Sequence, residues 1–74
     1  MKAVEIQSFA RATLLDLPPG IRAEIGRRLF TIAAGNHHSL VSYGGGVYSF
    51  VVTGGITVYL EDRADRVVVF YIVR

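Results

Sequence analysis

The sequence predicts an α+β domain in which a helical hairpin packs on one face of a mostly antiparallel sheet, in the order β-α-α-β-β-β. Three observations predict it: an apolar stripe at helical spacing over residues 20–35, two apolar runs joined by Gly54-Gly55, and a closing run, "RVVVFYIVR", apolar at seven successive positions. Helices grouped before the strands are typical of this class. A chain of 74 residues makes one domain, 1–74.

The first two elements are a short strand and a short helix. Residues 1–7 alternate, with Ala3 and Glu5 on one side and Val4 and Ile6 on the other, which predicts a strand. Ser8 offers an N-cap oxygen to a helix of two to three turns, which ends at "LPPG" because proline disfavours helix before it. The residues expected near one face of this helix are Phe9, Thr13, Leu14 and Leu17.

The second helix begins at Pro19 or Gly20 and carries the clearest periodicity in the chain. Its apolar stripe has spacings of four, four and three residues and consists of Ile21, Ile25, Leu29 and Ile32. Glu24 and Arg28 are spaced to form an i,i+4 ion pair on the opposite side. Gly35 stands where a left-handed C-cap residue ends a helix.

The rest of the chain predicts a loop and three strands. "NHHSLVSYGGG" is polar and glycine-rich without a period, which indicates a loop. Strands follow over residues 47–53, 56–61 and 66–74, and Gly54 and Gly55 supply the positive φ angles of a two-residue hairpin turn. The seven apolar positions of the last strand predict that it is covered on both faces.

The composition excludes several functional classes. No apolar run approaches the ~20 residues that span a bilayer. Glu5 and Asp16 interrupt any signal-peptide core, and the absence of cysteine fits a reducing cytoplasm, where the protein is expected. Half of the residues are apolar, which is high for so small a domain and predicts that a partner or a second copy covers part of the surface.

Four groups of residues carry candidate chemistry, each with a plain structural alternative. The adjacent His37 and His38 are loop residues, or they are catalytic or contact RNA or a partner, and no complete metal ligand set surrounds them. Gly44-Gly45-Gly46 lacks the lysine and the following helix of a phosphate loop. The charged run at residues 61–66 indicates a solvated, salt-bridged hairpin tip.

The tyrosines form the fourth group. Tyr43, Tyr48, Tyr59 and Tyr71 either stack on unpaired bases or pack as half-buried strand residues. In the first case Arg63, Arg66 or Arg74 would hold phosphates. No cofactor and no metal is predicted.

The chain resembles the RelE/ParE family of bacterial toxins. The residues that carry the resemblance are "LPPGIR" (17–22), which follows the family's LP-x-x-(V/I)-R helix start, and "VVVFYI" (67–72), which is similar to its closing strand. The family hairpin Y-R-x-R-x-G-x-Y-R-x-x-Y, laid without a gap on residues 48–59, matches at Tyr48 and Tyr59. Where that pattern has three arginines, this chain has Ser49, Val51 and Ile56, and Gly55 replaces its second tyrosine.

The resemblance implies a toxin-like component of a toxin–antitoxin system, in divergent or degenerate form. Its cognate antitoxin would wrap the chain with a helix and an added strand. The target would be mRNA on the ribosome, cut by an endoribonuclease, or gyrase in the ParE manner, with a weakened or lost active site. The catalytic positions left by the resemblance are Tyr48, Tyr59, Arg66 and Arg74, and the RNA- or partner-binding positions are His37, His38, Arg63 and Tyr71. The alternative is a non-catalytic homodimeric module that associates through an apolar sheet.

Overall fold

A five-stranded mixed sheet carries two helices on one face. The computed structural model describes residues 1–74, with β1 (Ala3–Ile6), α1 (Ser8–Leu15), α2 (Pro19–Ala33), β2 (Val41–Gly44), β3 (Val47–Val52), β4 (Ile56–Asp62) and β5 (Arg66–Val73). The strand order is β1-β5-β4-β3-β2, with β1 parallel to β5 and all other pairs antiparallel. The α+β architecture is therefore confirmed. No helix is long and apolar enough to cross a membrane.

The core lies between α2 and the face of the sheet beneath it. Ile25, Leu29 and Ile32 of the predicted stripe are buried, and Ile21 packs at the margin. They meet the inward side chains of three strands, namely Phe50, Val52, Ile56, Val58, Leu60, Val67, Val69 and Ile72. Each fully buried aliphatic side chain of this kind contributes about 1.5–3 kcal/mol of transfer free energy. The apolar stripe of α2 thus packs against every second side chain of the strands, and together they form the core.

The last strand is internal, as its apolar run predicts. β5 lies between β1 and β4. Over residues 67–69 both of its edges are therefore hydrogen-bonded to a neighbouring strand. Val67 and Val69 face the helices, and Val68 is buried on the other side. The second half of β5 departs from the prediction, because Tyr71 and Val73 are exposed on the side away from the helices.

The main correction concerns "NHHSLVSYGGG", for which the sequence predicts only a loop. Residues 41–44 form the edge strand β2, paired antiparallel with β3 through Val41–Ser49 and Ser42–Tyr48. The strand is four residues long, is interrupted by a bulge at Tyr43 and is exposed throughout. Such a segment lacks the apolar alternation by which a strand is recognised, because none of its side chains enters the core.

The turns are formed by glycines with positive φ angles. Gly54 and Gly55 have φ of 87° and 76°, and Gly35 has φ of 98° just after α2, as the sequence predicts. The hairpin register pairs Val52 with Ile56, which leaves three residues in the connection rather than two. The N–H of Gly55 donates to Val52 O across this turn.

Several local predictions for the helices are wrong. Ser8 is the first helical residue and not a cap, and the preceding Gln7 makes no side-chain capping bond. Phe9 is exposed, and Ala10 takes its place in the core. The first helix packs against β5, and Ala10 is its only buried residue.

The predicted Glu24–Arg28 ion pair is also absent, because each residue has another partner. The Glu24 carboxylate accepts the N–H of Thr53 at 3.3 Å and so holds the hairpin turn against α2. The Arg28 guanidinium lies 4.7 Å above the Phe50 ring and donates to Ser39 O at 3.4 Å.

Candidate functional site

The four predicted catalytic residues do not lie together. Tyr48 and Tyr59 stand on opposite faces of the sheet: Tyr48 packs against the core beneath the helices, and Tyr59 is on the side away from them. Arg66 and Arg74 lie at opposite ends of β5, about 25 Å apart for a strand of this length. Arg74 binds Asp16 of the α1–α2 connection at 2.7 Å. No single pocket unites these four side chains.

The side of the sheet away from the helices, here called the open face, is instead crossed by a row of aromatic rings. Tyr43 of β2 lies 6.0 Å from Tyr59 of β4, which lies 6.2 Å from Tyr71 of β5. Tyr71 is in turn 6.4 Å from Phe9, which reaches the row from α1, and Phe70 lies 6.4 Å from Tyr59. The predicted site residues Tyr59 and Tyr71 are thus direct cross-strand neighbours.

Beside this row lie the two β3 residues that stand where the family hairpin has arginines. Ser49 is buried beneath the tyrosines and its Oγ lies 2.8 Å from the Tyr43 hydroxyl, which satisfies both polar groups. Val51 is exposed on the same face. Ile56, by contrast, is buried in the core on the helix side of the sheet and does not contribute to the open face. The centre of the open face therefore carries no charge.

Charges collect at one end of the open face, around the β4–β5 hairpin. Arg63 binds Glu61 at 2.6 Å, and this hydrogen bond with the added attraction of the carboxylate raises the pKa of Arg63. Arg66 lies 3.2 Å from Glu5 and 3.0 Å from Asp65. These contacts confirm the predicted salt-bridged hairpin tip. Because each arginine already has a carboxylate, the tip is a poor phosphate site.

Asp62 is different from the rest of that charged run. Its carboxylate turns to the helix side, where its two oxygens accept hydrogen bonds from Lys2 Nζ and His37 Nε2, each at 2.6 Å. Burial raises the pKa of Asp62, but the hydrogen bonds and positive charges of Lys2 and His37 outweigh it and hold the pKa below its ordinary value. The His37 ring lies 4.9 Å from Tyr48, so this group joins two of the predicted residues.

The second histidine takes no part in the Asp62 group. His38 is exposed, and its backbone N–H donates to Asn36 Oδ1 at 2.8 Å within the α2–β2 loop. No three His, Cys, Asp or Glu side chains cluster in a metal-binding arrangement.

A groove of about 430 Å³ runs between the edge strand β1 and α2. This β1–α2 groove is lined by Met1, Lys2, Val4, Ile6, Gly26, Leu29 and Phe30. Met1, Val4 and Phe30 are exposed, and a Cβ at Gly26 would meet nothing within 4 Å, so the groove is open to a ligand. The sequence did not predict this groove, because one of its walls is a strand of only four residues and no motif marks it.

The edge of β1 that faces away from β5 pairs with no other strand. Gln7 donates its N–H to Val69 O of β5, whereas Lys2 donates its N–H the other way, to Ala33 O of α2. Because backbone groups alternate in direction along a strand, Val4 and Ile6 direct theirs away from β5. The Ile6 carbonyl accepts a 3.4 Å bond from Arg11, which brings a positive charge to that end of the strand.

Positive charge is concentrated on the helical layer. Lys2, Arg63, Arg66 and Arg74 each pair with a carboxylate. The arginines that form no ion pair are the four on the helices, namely Arg11, Arg22, Arg27 and Arg28. With Glu24 the helices carry a net charge of +3, and the charged end of the open face carries −1, which together give the net charge of +2.

Comparison with known proteins was informative at the level of structure. No protein-family profile matches the chain, and no curated protein matches it significantly. A chain of the intact E. coli RelBE toxin–antitoxin complex is similar, with a TM-score of 0.81 over 97% of this chain and 94% of that chain. The fold is RelE-like. The two sequences are 10% identical, so the likeness is one of fold.

Proposed function

We propose that this protein is the toxin-like component of a bacterial toxin–antitoxin system, with an RNA-cleaving site that is weakened or lost. The observation that carries the proposal is the likeness, over 97% of the chain, to a chain of a toxin–antitoxin complex. The same likeness to RelE leads us to expect a proteinaceous antitoxin as the partner and the cytoplasm as the location.

The β1–α2 groove supports an antitoxin-binding role. A peptide in extended conformation would pair with the backbone N–H and C=O of Val4 and the N–H of Ile6, and would place alternate side chains against Phe30 and Leu29. Arg11 beside the groove favours a segment that carries carboxylates. An acidic, partly apolar antitoxin segment therefore fits this edge of the sheet.

The open face argues against RNA cleavage. Stabilising a scissile phosphate requires uncompensated positive charge near the reacting atoms. The centre of this face has Ser49, Val51 and Tyr59 instead, and Arg63 and Arg66 at its end are already neutralised. Loss of such charges forfeits several kcal/mol of transition-state stabilisation. Inhibition of gyrase needs no RNA-cleaving site, so of the two toxin activities it is the more compatible with this surface.

Two matched substitutions test the antitoxin site. Phe30→Lys alters the groove and Val51→Lys alters the open face, and both replace an exposed apolar residue by lysine. Each variant is co-expressed with the product of the gene immediately upstream or downstream. We expect the neighbouring protein to co-purify with the wild type and with Val51→Lys, and to be lost with Phe30→Lys. Equal retention by all three would place the partner elsewhere.

Induced expression in a bacterial host tests the toxin activity. The expected result is intact transcripts on primer-extension mapping, with any growth arrest accompanied by inhibited DNA supercoiling. Transcripts cut at ribosome-dependent positions would show that an RNA-cleaving site survives and would contradict the proposed loss.

A non-catalytic homodimeric module is the second candidate function. It is favoured by the aromatic, uncharged centre of the open face, a composition suited to contact with protein. Normal growth on induction, with no partner from either neighbouring gene, would favour this candidate over the first.

A further inference from the structure

The exposed apolar side chains of this protein fall mainly on two separate surfaces. Met1, Val4 and Phe30 border the β1–α2 groove. Six others lie on or beside the open face, namely Phe9, Val41, Tyr43, Val51, Tyr71 and Val73. A contiguous apolar surface of this kind on so small a domain marks an interaction site. A ligand confined to the groove would leave the open face uncovered.

Charge decides what kind of partner suits the open face. Its centre has no charged side chain, and the ion pairs at its end combine both signs within 3.2 Å. A polyanion or a strongly acidic peptide would be drawn instead to the four unpaired arginines on the helical layer. A neutral, aromatic face is best matched by another neutral, aromatic face, and a second copy of this chain supplies one without like-charge repulsion.

We infer that the open face is the interface of a homodimer, in which two sheets pack face to face with the aromatic rows of both copies interleaved. Tyr59 and Tyr71 lie at its centre, and Tyr43 and Phe9 lie at its two sides. In a two-fold arrangement the rim of one copy, with Arg63 and Arg66 beside Glu5 and Glu61, meets neutral surface or its own opposite charges. The dimer does not depend on an antitoxin and would hold for either candidate function.

The size of the face sets the class of interface that it can form. Five strands about 4.8 Å apart and about 20 Å long give a footprint of about 500 Å² on each chain, or about 1,000 Å² in total. This area lies at the lower limit for a specific interface, where weak and transient contacts are found, so we expect a reversible dimer that is rich in buried tyrosine.

Sedimentation equilibrium over a wide concentration range tests the inference on the full chain. The wild type is expected to pass from 8.1 kDa to twice that mass as its concentration rises. Val51→Lys brings two lysines into the interface and should weaken dimerisation about 100-fold or more. Phe30→Lys, on the groove, should leave it unchanged. Because Val51 is exposed in the monomer, far-ultraviolet circular dichroism should show that both variants are folded.

Hydroxyl-radical footprinting supplies a second measurement that needs no variant. Tyr71 and Tyr43 are half exposed in the single chain and should become protected as the concentration rises, whereas Phe30 should not. A wild-type chain that stays at 8.1 kDa at high concentration would overturn the inference. So would a dimer that Phe30→Lys dissociates and Val51→Lys does not. A chain that stays monomeric leaves antitoxin binding untouched, and co-purification of the neighbouring protein shows whether the groove binds an antitoxin, so failure of the dimer and failure of the proposed function are distinguishable.

Discussion

Replacing Asp62 by alanine should destabilise the protein more than any other change to a carboxylate. The Asp62 side chain is only 9% exposed and accepts two hydrogen bonds of 2.6 Å, from Lys2 and His37. A hydrogen bond to a charged group contributes about 1.5–3 kcal/mol. Lys2 and His37 are each about one-third exposed, so solvent screening brings the two bonds together to about 2 kcal/mol.

This loss is large for a chain of 74 residues, whose free energy of unfolding is about 4–11 kcal/mol. It corresponds to a fall in Tm of about 10 °C. The matched control is Asp65→Ala, because the Asp65 side chain is 71% exposed and its pairing with Arg66 should contribute less than about 1 kcal/mol. Urea unfolding of the two variants and the wild type at pH 7 and at equal protein concentration measures the difference.

The pH dependence provides a further check on Asp62. Its pKa in the folded protein lies below the ordinary value of 3.8, so the folded state binds fewer protons than the unfolded chain in acid. The stability contributed by this carboxylate is therefore present above about pH 4 and is lost as the pH falls through the folded pKa. The gap between wild type and Asp62→Ala should close in that range. An Asp62→Ala cost equal to that of Asp65→Ala at pH 7 would refute the reasoning.

Two further changes test the β2–β3 edge. Gly46→Ala should cost about 1–2 kcal/mol in the free energy of unfolding, because Gly46 has φ of 83° and a Cβ there would lie 3.1 Å from a backbone oxygen of β4. Gly20→Ala, in open space within α2, should cost nothing, and a similar loss at both glycines would contradict this explanation. Tyr43→Phe should cost about 1 kcal/mol by leaving the buried Ser49 hydroxyl without its 2.8 Å partner, and an unchanged urea midpoint would show that the bond contributes nothing.

The fold could largely be predicted because its core follows regular periods. The α2 stripe and the alternation in β3 and β4 report burial on one side, and the positive φ angles fall on the expected glycines. The edge strand β2 and the helix α1 show no such period of buried residues. Strand β2 buries no side chain. The apolar Phe9 of α1 lies beside the open face, so an apolar residue in these elements does not indicate burial in the core.

The candidate site was less predictable, because it depends on which strands become neighbours. The pairing of Tyr59 with Tyr71 follows from a bulge that shifts the β4–β5 register at Leu60. The contact of His37 with Asp62 joins residues 25 positions apart through an irregular loop. Neither spacing is visible in one sequence. The absence of arginine from the hairpin was visible in the sequence, and in the structure Ser49 and Val51 give the open face a neutral surface beside its tyrosines.

The most direct test of the proposed function is a binding titration of the purified chain with the proteins encoded immediately on either side of its gene. We predict that one of them forms a stoichiometric complex by isothermal titration calorimetry, and that Phe30→Lys, but not Val51→Lys, abolishes the heat of binding. Absence of binding by both neighbouring proteins, with the chain folded, would contradict the assignment to a toxin–antitoxin system.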